Sequence, residues 1–566
     1  MRLPRLVTAL LGALLLLTGC TGIATSGPVE EVPMSAQPPG IDVAPQPPQS
    51  GVTPTRLVEG FLQAMADPES DYSIARLYLT GAANELWTPA GAIVFDGAVH
   101  GDQESSNITG MEVGRLDQGG RYSAGLRTFH HDFGIQLEDG QWRIGAPPEG
   151  LLLSRYIFER YYSQVSLYYM STAGSHVVPD PIHVPETLVT PPTIVEALLD
   201  GPAEAISGAV RNALPPGTRM GIREATLDTQ GVVRVDLSGL WSGLSDEARR
   251  GIGAQLLWSL TAIPRVTGLV LTNDGLPFAL PDYNAQGVLE LTTQQGYQVL
   301  SRAAPSNDLF GVRDGVAGRI GDPFEPFRHG ETRYGDLAVS LDGVSIALID
   351  EPRAQLWIGP RNREVTLADT AGLGNLRDPQ FVLGTLWLLG DELDGTTVLL
   401  NVQRSGEVER VRFDPPDGAV ISAFGVSPNR ARIAIVLSFG EQRILGLATV
   451  RDSAPTSVVA WQQLHLVADG NLLLTDPRSL RWTDETRFAL IATQEAGSSV
   501  YSVRSDGSEV EDLSPVGVKA VEIAALARTG GGPVAVRTET GAVWRFDPRT
   551  RWTSLAESIT AISYGG

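Results

Sequence analysis

Hydrophobic residues follow different periods along the chain, and the changes between them divide it into sections. An unbroken apolar run occupies Leu6 to Leu17, shortly after Arg2 and Arg5. A run of about a dozen residues is too short to span a bilayer and is typical of the apolar core of a signal peptide. We therefore predict a signal peptide over residues 1–19. No later run approaches the roughly 18 apolar residues of a membrane-spanning helix, so we expect no transmembrane helix after it.

After residue 52, apolar residues first recur at helical spacing and then alternate. The helical positions that follow Thr55, a predicted N-cap, are Leu57, Val58, Phe61, Leu62 and Met65. A second short helix is predicted to begin at Ile74, and strands over residues 92–99, 122–133 and 135–137. This order predicts an α+β domain over residues 52–148. The succession of helices and a curved sheet resembles the NTF2-like cone.

Strands and helices with capping signals predict a second α+β domain over residues 149–284. Thr193 and Glu196 have the spacing of a capping box and are predicted to begin a helix over residues 194–199. Ser245, followed by two acidic residues, is predicted to cap another helix. Predicted strands over residues 166–169, 232–237 and 266–271, with a turn at Asn273-Asp274-Gly275, complete the domain.

From residue 285 to 566, short strands alternate with turns in a weak repeat. Related phrases begin near Ser340, Ser427 and Thr483, and a further copy fits around Asp378-Pro379-Gln380. A step of about 43 residues is the length of a four-stranded propeller blade. The section is therefore predicted to be an all-β propeller of six or seven blades. A pair of β-sandwiches and a right-handed β-helix are the alternatives.

Composition narrows the classes of partner. The formal net charge is −22, with 43 basic and 65 acidic residues, and Lys519 is the only lysine. Nucleic acids need clustered cations, and anionic lipid surfaces attract them too, so we expect neither as a direct partner. The hydrophobic content of 42% is that of a globular protein.

Cys20 is the only cysteine and directly follows Leu17, Thr18 and Gly19. This stretch resembles the bacterial lipobox, which implies a diacylglyceryl group on the Cys20 sulfur, a further acyl chain such as palmitate on its amine, and attachment to the outer face of the cytoplasmic membrane. An ordinary secretory signal with a chance cysteine is the alternative. Residues 20–51 are rich in proline and are predicted to form an extended, lipidated tether.

The spacing of the seven histidines and 65 acidic residues selects no catalytic chemistry. His130 and His131 are neighbours in a predicted strand, so they point to opposite faces and cannot share a metal ion. His176 and His183 flank Asp180 in a proline-rich connection, where we expect solvated or core histidines rather than metal ligands. Asp506 belongs to an Asp-Gly-Ser blade turn, which needs no ion. We predict no catalytic residue, no metal site, no cofactor and no enzymatic activity.

Two resemblances bring these sections together. Residues 233–238, 260–266 and 273–277 resemble a GerMN domain, a binding module named from spore-germination proteins. The whole order of lipobox, tether, α+β domain, GerMN-like domain and propeller resembles the LpqB family of actinobacterial lipoproteins. The stretch from Ser166 to Pro185, with Leu167-Tyr168-Tyr169 and Val178-Pro179-Asp180, carries part of this resemblance.

The LpqB resemblance implies a membrane-anchored accessory of a two-component system of the MtrA–MtrB type, linked to cell-wall and division control. The implied partner is the extracytoplasmic domain of the sensor histidine kinase, and only Cys20 carries over as a functional residue. Two alternatives remain open at this point. One is an envelope protein that binds or hydrolyses glycans through the propeller channel, and the other is a scaffold for cell-wall assembly.

Overall fold

The computed structural model describes residues 45–300, 306–328, 330–403, 405–494, 497–513, 519–547 and 551–565. The predicted signal peptide, the lipobox residues Leu17, Thr18, Gly19 and Cys20, and most of the tether lie outside the described residues. The chain from Gln46 onward forms one compact unit.

The first domain packs short helices against a four-stranded sheet and a separate hairpin. Its elements are α1 (Pro54–Ala64), α2 (Glu69–Arg76), α3 (Gly81–Leu86), β1 (Ala92–Gly101), β2 (Ser106–Leu116), β3 (Tyr122–Asp132), β4 (Ile135–Glu138), β5 (Gln141–Ile144), β6 (Leu151–Ser154) and α4 (Arg155–Tyr161). The sheet order is β3-β2-β1-β6, with β4 and β5 paired beside it. The buried face of α1, which includes Leu57 and Phe61, fills the core between helices and sheet.

Two sequence predictions for this domain need correction. Helix α1 begins at Pro54 with Thr53 as its N-cap, not Thr55, because a proline at the first helical position needs no N–H partner. Strand β6 pairs in parallel with β1, so the first domain continues past the predicted boundary at residue 148. Strand β2 was not predicted, since glycines at 110 and 114 and polar residues interrupt its apolar alternation.

The second domain contains two helices, a six-stranded mixed sheet and a smaller three-stranded sheet. Its elements are β7 (Tyr162–Ser171), β8 (Val177–Pro185), α5 (Pro191–Leu199), β9 (Val210–Arg211), β10 (Arg219–Met220), β11 (Thr226–Leu227), β12 (Val232–Ser238), α6 (Asp246–Leu260), β13 (Gly268–Asn273), β14 (Leu276–Pro277) and β15 (Leu289–Glu290). Short 3-10 helices occupy Glu186–Leu188, Glu204–Ile206 and Leu291–Tyr297. Helix α6 lies against β7 and β13, and its buried face forms the centre of the core.

The capping signals of this domain were predicted with mixed success. Ser245 caps α6 as predicted, its side-chain oxygen accepting a hydrogen bond from the Ala248 amide at 3.2 Å. The capping box at Thr193 is wrong, because α5 begins at Pro191 after Thr190 and Thr193 lies within it. Strand β15 pairs with β13, so the predicted propeller boundary at residue 285 falls inside the second domain.

Within the described residues, six four-stranded antiparallel sheets form the propeller, the lower of the two predicted blade numbers. Blade 1 contains β16 (Leu309–Arg313), β17 (Val316–Arg319) and β18 (Glu325–Pro326) together with β41 (Ile559–Tyr564). Blade 2 contains β19 (Tyr334–Val339), β20 (Ser345–Asp350), β21 (Leu356–Pro360) and β22 (Thr366–Ala368). Blade 3 contains β23 (Gly374–Val382), β24 (Thr385–Asp391), β25 (Thr397–Val402) and β26 (Val408–Arg410).

In blades 2 to 6 the strands follow chain order from the innermost strand outwards. Blade 4 contains β27 (Val420–Val426), β28 (Arg432–Phe439), β29 (Gln442–Arg451) and β30 (Ser457–Gln463). A small hairpin of β31 (Val467–Ala468) and β32 (Leu472–Leu473) then leads to blade 5. Blade 5 contains β33 (Thr475–Trp482), β34 (Arg487–Gln494), β35 (Gly497–Arg504) and β36 (Val510–Asp512), and blade 6 contains β37 (Ala520–Ala525), β38 (Val534–Thr538), β39 (Val543–Asp547) and β40 (Arg551–Ala556).

The last strand of the chain closes the ring. Strand β41 pairs antiparallel with β16, placing Tyr564 opposite Leu309, and it serves as the inner strand of blade 1. The inner strands of neighbouring blades then contact one another around the ring. The repeated phrases at Ser340, Ser427 and Thr483 all follow inner strands, as the predicted repeat requires.

Candidate functional site

Three carboxylates from inner strands meet in the middle of the propeller ring. They are Asp336 on β19, Asp378 on β23 and Glu522 on β37. Burial and the neighbouring charge of Glu522 raise the pKa of Asp336 to about 7, with a further contribution from Asp378, while Arg353 opposes the shift. The sequence provided no means of choosing these three from 65 acidic residues, because they lie on strands far apart in the chain.

Each of these carboxylates is paired with an arginine. Arg353 Nη1 lies 3.4 Å from an Asp336 oxygen, Arg537 Nε lies 2.5 Å from Glu522 Oε2, and Arg481 donates a hydrogen bond to Asp378. Glu522 also accepts a hydrogen bond from the Ile562 amide of the adjacent blade at 3.1 Å. The charged groups therefore connect blades to each other across the channel.

A cavity of about 540 Å³ lies at the end of the channel where the inner strands terminate. Residues from the ends of all six inner strands, or from the turns that follow them, line it. Its walls are mainly apolar, with Phe381, Val382 and Ile562 among them, and Arg481 contributes a charged group. This volume falls in the range of sites that bind small molecules or side chains. We call this cavity the propeller mouth.

The second domain packs on the same face of the propeller as the mouth. Its strand β8 contributes Asp180, which is 3% exposed. An Asp180 oxygen lies 3.3 Å from Arg432 Nη2 of blade 4, and the other lies 3.3 Å from Arg121 Nη2 of the first domain and 2.8 Å from the Ala203 amide. One buried carboxylate thus connects all three domains.

A second buried pair lies farther along β8. His183 Nε2 is 2.8 Å from Asp506 Oδ2 of blade 5, and Gln164 Nε2 donates to the same oxygen at 3.1 Å. Burial tends to raise the pKa of Asp506, but hydrogen bonds from His183 and Ser508 overcome it and hold the pKa well below its usual range. The His183 ring also packs against Phe158 of the first domain.

A third polar contact lies directly before β8 and involves blades 4 and 5. His176 Nε2 lies 3.0 Å from the Asn429 carbonyl oxygen of blade 4, and the Asn429 amide donates to Glu485 Oε1 of blade 5 at 3.2 Å. Burial raises the pKa of Glu485 to about 7, against the opposing influence of Asn429 and Arg432. The Asp180, His183 and Glu485 contacts together form what we call the domain junction.

The junction corrects one prediction made from the sequence. The proline-rich stretch is not an irregular connection, because residues 177–185 form the strand β8, in which Asp180 and His183 are buried between domains; the half-buried His176 directly precedes this strand. The Asp506 side chain, within its blade turn, is largely buried at its contact with His183. A nearly continuous apolar run from Val177 to Pro185 was the available signal, since such runs indicate strands buried on both faces.

The two adjacent histidines of β3 occupy different environments, consistent with alternating faces. His131 packs edge-on against Phe133, and its Nε2 lies 3.0 Å from the Ala146 carbonyl oxygen, whereas His130 is exposed. Among the described residues, no group of three or more His, Cys, Asp or Glu side chains is arranged to hold a metal ion. In the same part of the chain, no helix is long and apolar enough to cross a membrane.

Glu485→Gln is expected to stabilise the protein at pH 8 by about 2–3 kcal/mol and to have little effect near pH 4.5. Because folding raises the pKa of Glu485 from 4.5 to about 7, the folded state binds this proton more tightly. The resulting stabilisation is complete below about pH 4.5 and is lost as the pH rises through about 7. Urea unfolding of the wild type and the variant at both pH values measures the difference.

The exposed Glu364, on the outer side of blade 2, provides the matched control. Glu364→Gln should leave the free energy of unfolding within about 0.5 kcal/mol of the wild type at both pH values. An equal effect of Glu485→Gln at pH 4.5 and pH 8 would contradict the assignment of the raised pKa to this residue.

The fold defines a multidomain propeller protein in which a GerMN-like module and another α+β domain precede the propeller. A family model described as "Lipoprotein LpqB, N-terminal domain" matches residues 47–159. A model described as "Sporulation and spore germination" matches residues 166–278, and one described as "Lipoprotein LpqB beta-propeller domain" matches residues 318–561. The two models named for LpqB together span more than half of the chain.

Relatives of the same name match along nearly the full length. Lipoprotein LpqB of Cutibacterium acnes is 28% identical, over 99% of this chain and 99% of the relative. Lipoprotein LpqB of Streptomyces coelicolor is 26% identical, over 100% and 98%, and that of Mycolicibacterium smegmatis is 27% identical, over 84% and 83%. The chain belongs to the LpqB family of actinobacterial lipoproteins.

Proposed function

We propose that this protein is a lipid-anchored accessory that binds the extracytoplasmic domain of a sensor histidine kinase, of the MtrA–MtrB type, and tunes its signalling. The observation that carries the proposal is the match of the chain, along nearly its full length, to lipoproteins of one family. The proposed action is binding alone, without catalysis.

Anchoring is proposed to occur through Cys20, within the lipobox of Leu17, Thr18 and Gly19. Two acyl chains bind a membrane stably where one does not. The proline-rich tether of residues 20–51 spans several tens of ångströms at about 3 Å per residue when extended. This reach suits a protein that lies on the outer face of the cytoplasmic membrane and contacts the exposed part of a membrane protein.

The channel carboxylates favour binding over glycan hydrolysis. A glycosidase needs one carboxyl group to protonate the leaving oxygen and a second to act as base or nucleophile. Asp336 has a raised pKa, but Asp336, Asp378 and Glu522 are each engaged by an arginine. Arginine pairing holds carboxylates in a structural role, which supports a non-enzymatic function.

Crosslinking in intact cells tests the proposal. The anchored protein should capture the sensor kinase through its extracytoplasmic domain, as identified by mass spectrometry of the crosslinked peptides. A strain that lacks the chain provides the background. Capture of cell-wall synthesis proteins without the kinase would contradict the proposal and favour the scaffold, and capture of glycan alone would favour a glycan-binding protein.

A further inference from the structure

An apolar side chain from outside the propeller blades forms part of the wall of the propeller mouth. Leu300, in the segment that connects the second domain to the propeller, lines the mouth and is 1% exposed. Its carbonyl oxygen accepts a hydrogen bond from Thr529 Oγ1 at 3.3 Å, and Gln298 Nε2 donates to the same hydroxyl at 3.1 Å. One connecting segment of the chain therefore packs at the mouth through a buried leucine, Thr529 of blade 6 donates a hydrogen bond to its backbone nearby, and a cavity of about 540 Å³ lies beside it.

Leu383 on the rim of the mouth has an unfavourable conformation for its residue type. It lies in the tight turn between β23 and β24 with φ at +50°, followed by Gly384 at +77°. Turns of this kind favour asparagine or glycine, and a bulky residue at positive φ is strained. Leu383 is nevertheless 46% exposed, so burial within the protein does not explain the leucine. Backbone strain of this kind is often found where a ligand binds.

A more polar cleft lies beside the mouth, between the second domain and blade 4. This cleft has a volume of about 480 Å³ and shares Val299 and Leu383 with the mouth. His176, Arg430 and Asp452 lie along it. A ligand that lay across these two shared residues would meet apolar walls at the mouth and polar groups at the cleft, which suits a chain of residues better than a compact molecule.

We propose that the propeller mouth binds a peptide segment of the partner protein, whose aliphatic side chains enter beside Leu300 and pack on Leu383. This inference rests on the proposed function, since it assigns the binding surface for that partner. The backbone of the bound segment continues along Val299 and Leu383 into the polar cleft. Leu300 of the protein itself packs at the mouth in the way that we assign to the partner's side chains.

A photoreactive residue placed at position 383 of the full-length, anchored protein tests the assignment in intact cells. The kinase should be captured at 383, with the crosslinked residue in a segment that contains aliphatic side chains. The matched control is position 393, a fully exposed leucine in the same blade. It lies in the turn between β24 and β25, at the opposite end of the blade, and should capture no kinase.

A substitution gives an independent measurement. Leu383→Asn should reduce chemical crosslinking of the kinase about tenfold, as expected for the loss of one buried leucine contact. It should not lower the melting temperature, because asparagine tolerates positive φ. Leu393→Asn should leave both quantities unchanged.

The outcomes separate the inference from the function on which it rests. Suppose that a chemical crosslinker captures the kinase, that the photoreactive residue at position 383 does not, and that Leu383→Asn leaves the chemical capture unchanged. That result would overturn the mouth as the binding surface while leaving the accessory role intact. Capture of lipid or glycan at position 383, in place of peptide, would also overturn it. Absence of the kinase from every crosslinking experiment would contradict the accessory role itself.

Discussion

Asp180→Ala is expected to lower the free energy of unfolding by about 3–5 kcal/mol, because it leaves a buried charge without its partner. Arg432 is 8% exposed and lies 3.3 Å from the Asp180 carboxylate. The same carboxylate accepts hydrogen bonds from the Ala203 amide and from Arg121. Urea unfolding of the purified protein measures the loss, and limited proteolysis should show earlier cleavage between the second domain and the propeller.

Two further variants make this prediction specific to the buried pair. Asp452→Ala removes a half-exposed carboxylate that lies 2.7 Å from Arg430, also in blade 4, and should cost no more than about 1 kcal/mol. The double variant Asp180→Leu/Arg432→Met should recover much of the lost stability, because apolar residues can replace a buried ion pair. Equal costs for Asp180→Ala and Asp452→Ala would show that the junction does not hold the domains together.

Cys20→Ser is expected to abolish lipid labelling and tight membrane association completely. Serine lacks the thiol that the lipobox resemblance predicts to be alkylated, and no other cysteine is present in the 566 residues. Growth with a labelled fatty acid, followed by fractionation and washing of the membranes, measures both effects.

Thr21→Ala, one residue further along, is the control for Cys20→Ser and should retain the lipid label and the membrane fraction. Persistence of the label in Cys20→Ser would contradict the lipid anchor. An unlabelled wild type, with the protein released from the cell, would instead support an ordinary secretory signal.

Local patterns were sufficient to predict the propeller and much of the second domain. Related apolar phrases, separated by turns such as Asp342-Gly343, were found in four of the six blades, since the blades bury equivalent faces. The cap at Ser245 and the turn at Asp274-Gly275 could also be predicted, because caps and tight turns depend on a few adjacent residues. The predicted cap at Thr193 was wrong because the helix starts earlier, at Pro191, the first of two prolines.

The junction and the channel could not be predicted from local patterns. Asp180 and Arg432 are 252 residues apart, and nothing in either neighbourhood specifies the other. The prolines at 179, 181 and 185 made β8 resemble a loop. An edge strand tolerates proline because one side needs no ladder hydrogen bonds, and β8 is the edge of its sheet.

Transcription that depends on the sensor kinase is the most direct test of the accessory role. It should be measured under envelope stress in a strain without the chain, with and without a restored copy. A kinase accessory predicts that deletion changes this transcription and that the wild-type copy restores it, whereas the Cys20→Ser copy does not. Transcription that stays the same after deletion would contradict the role in signalling.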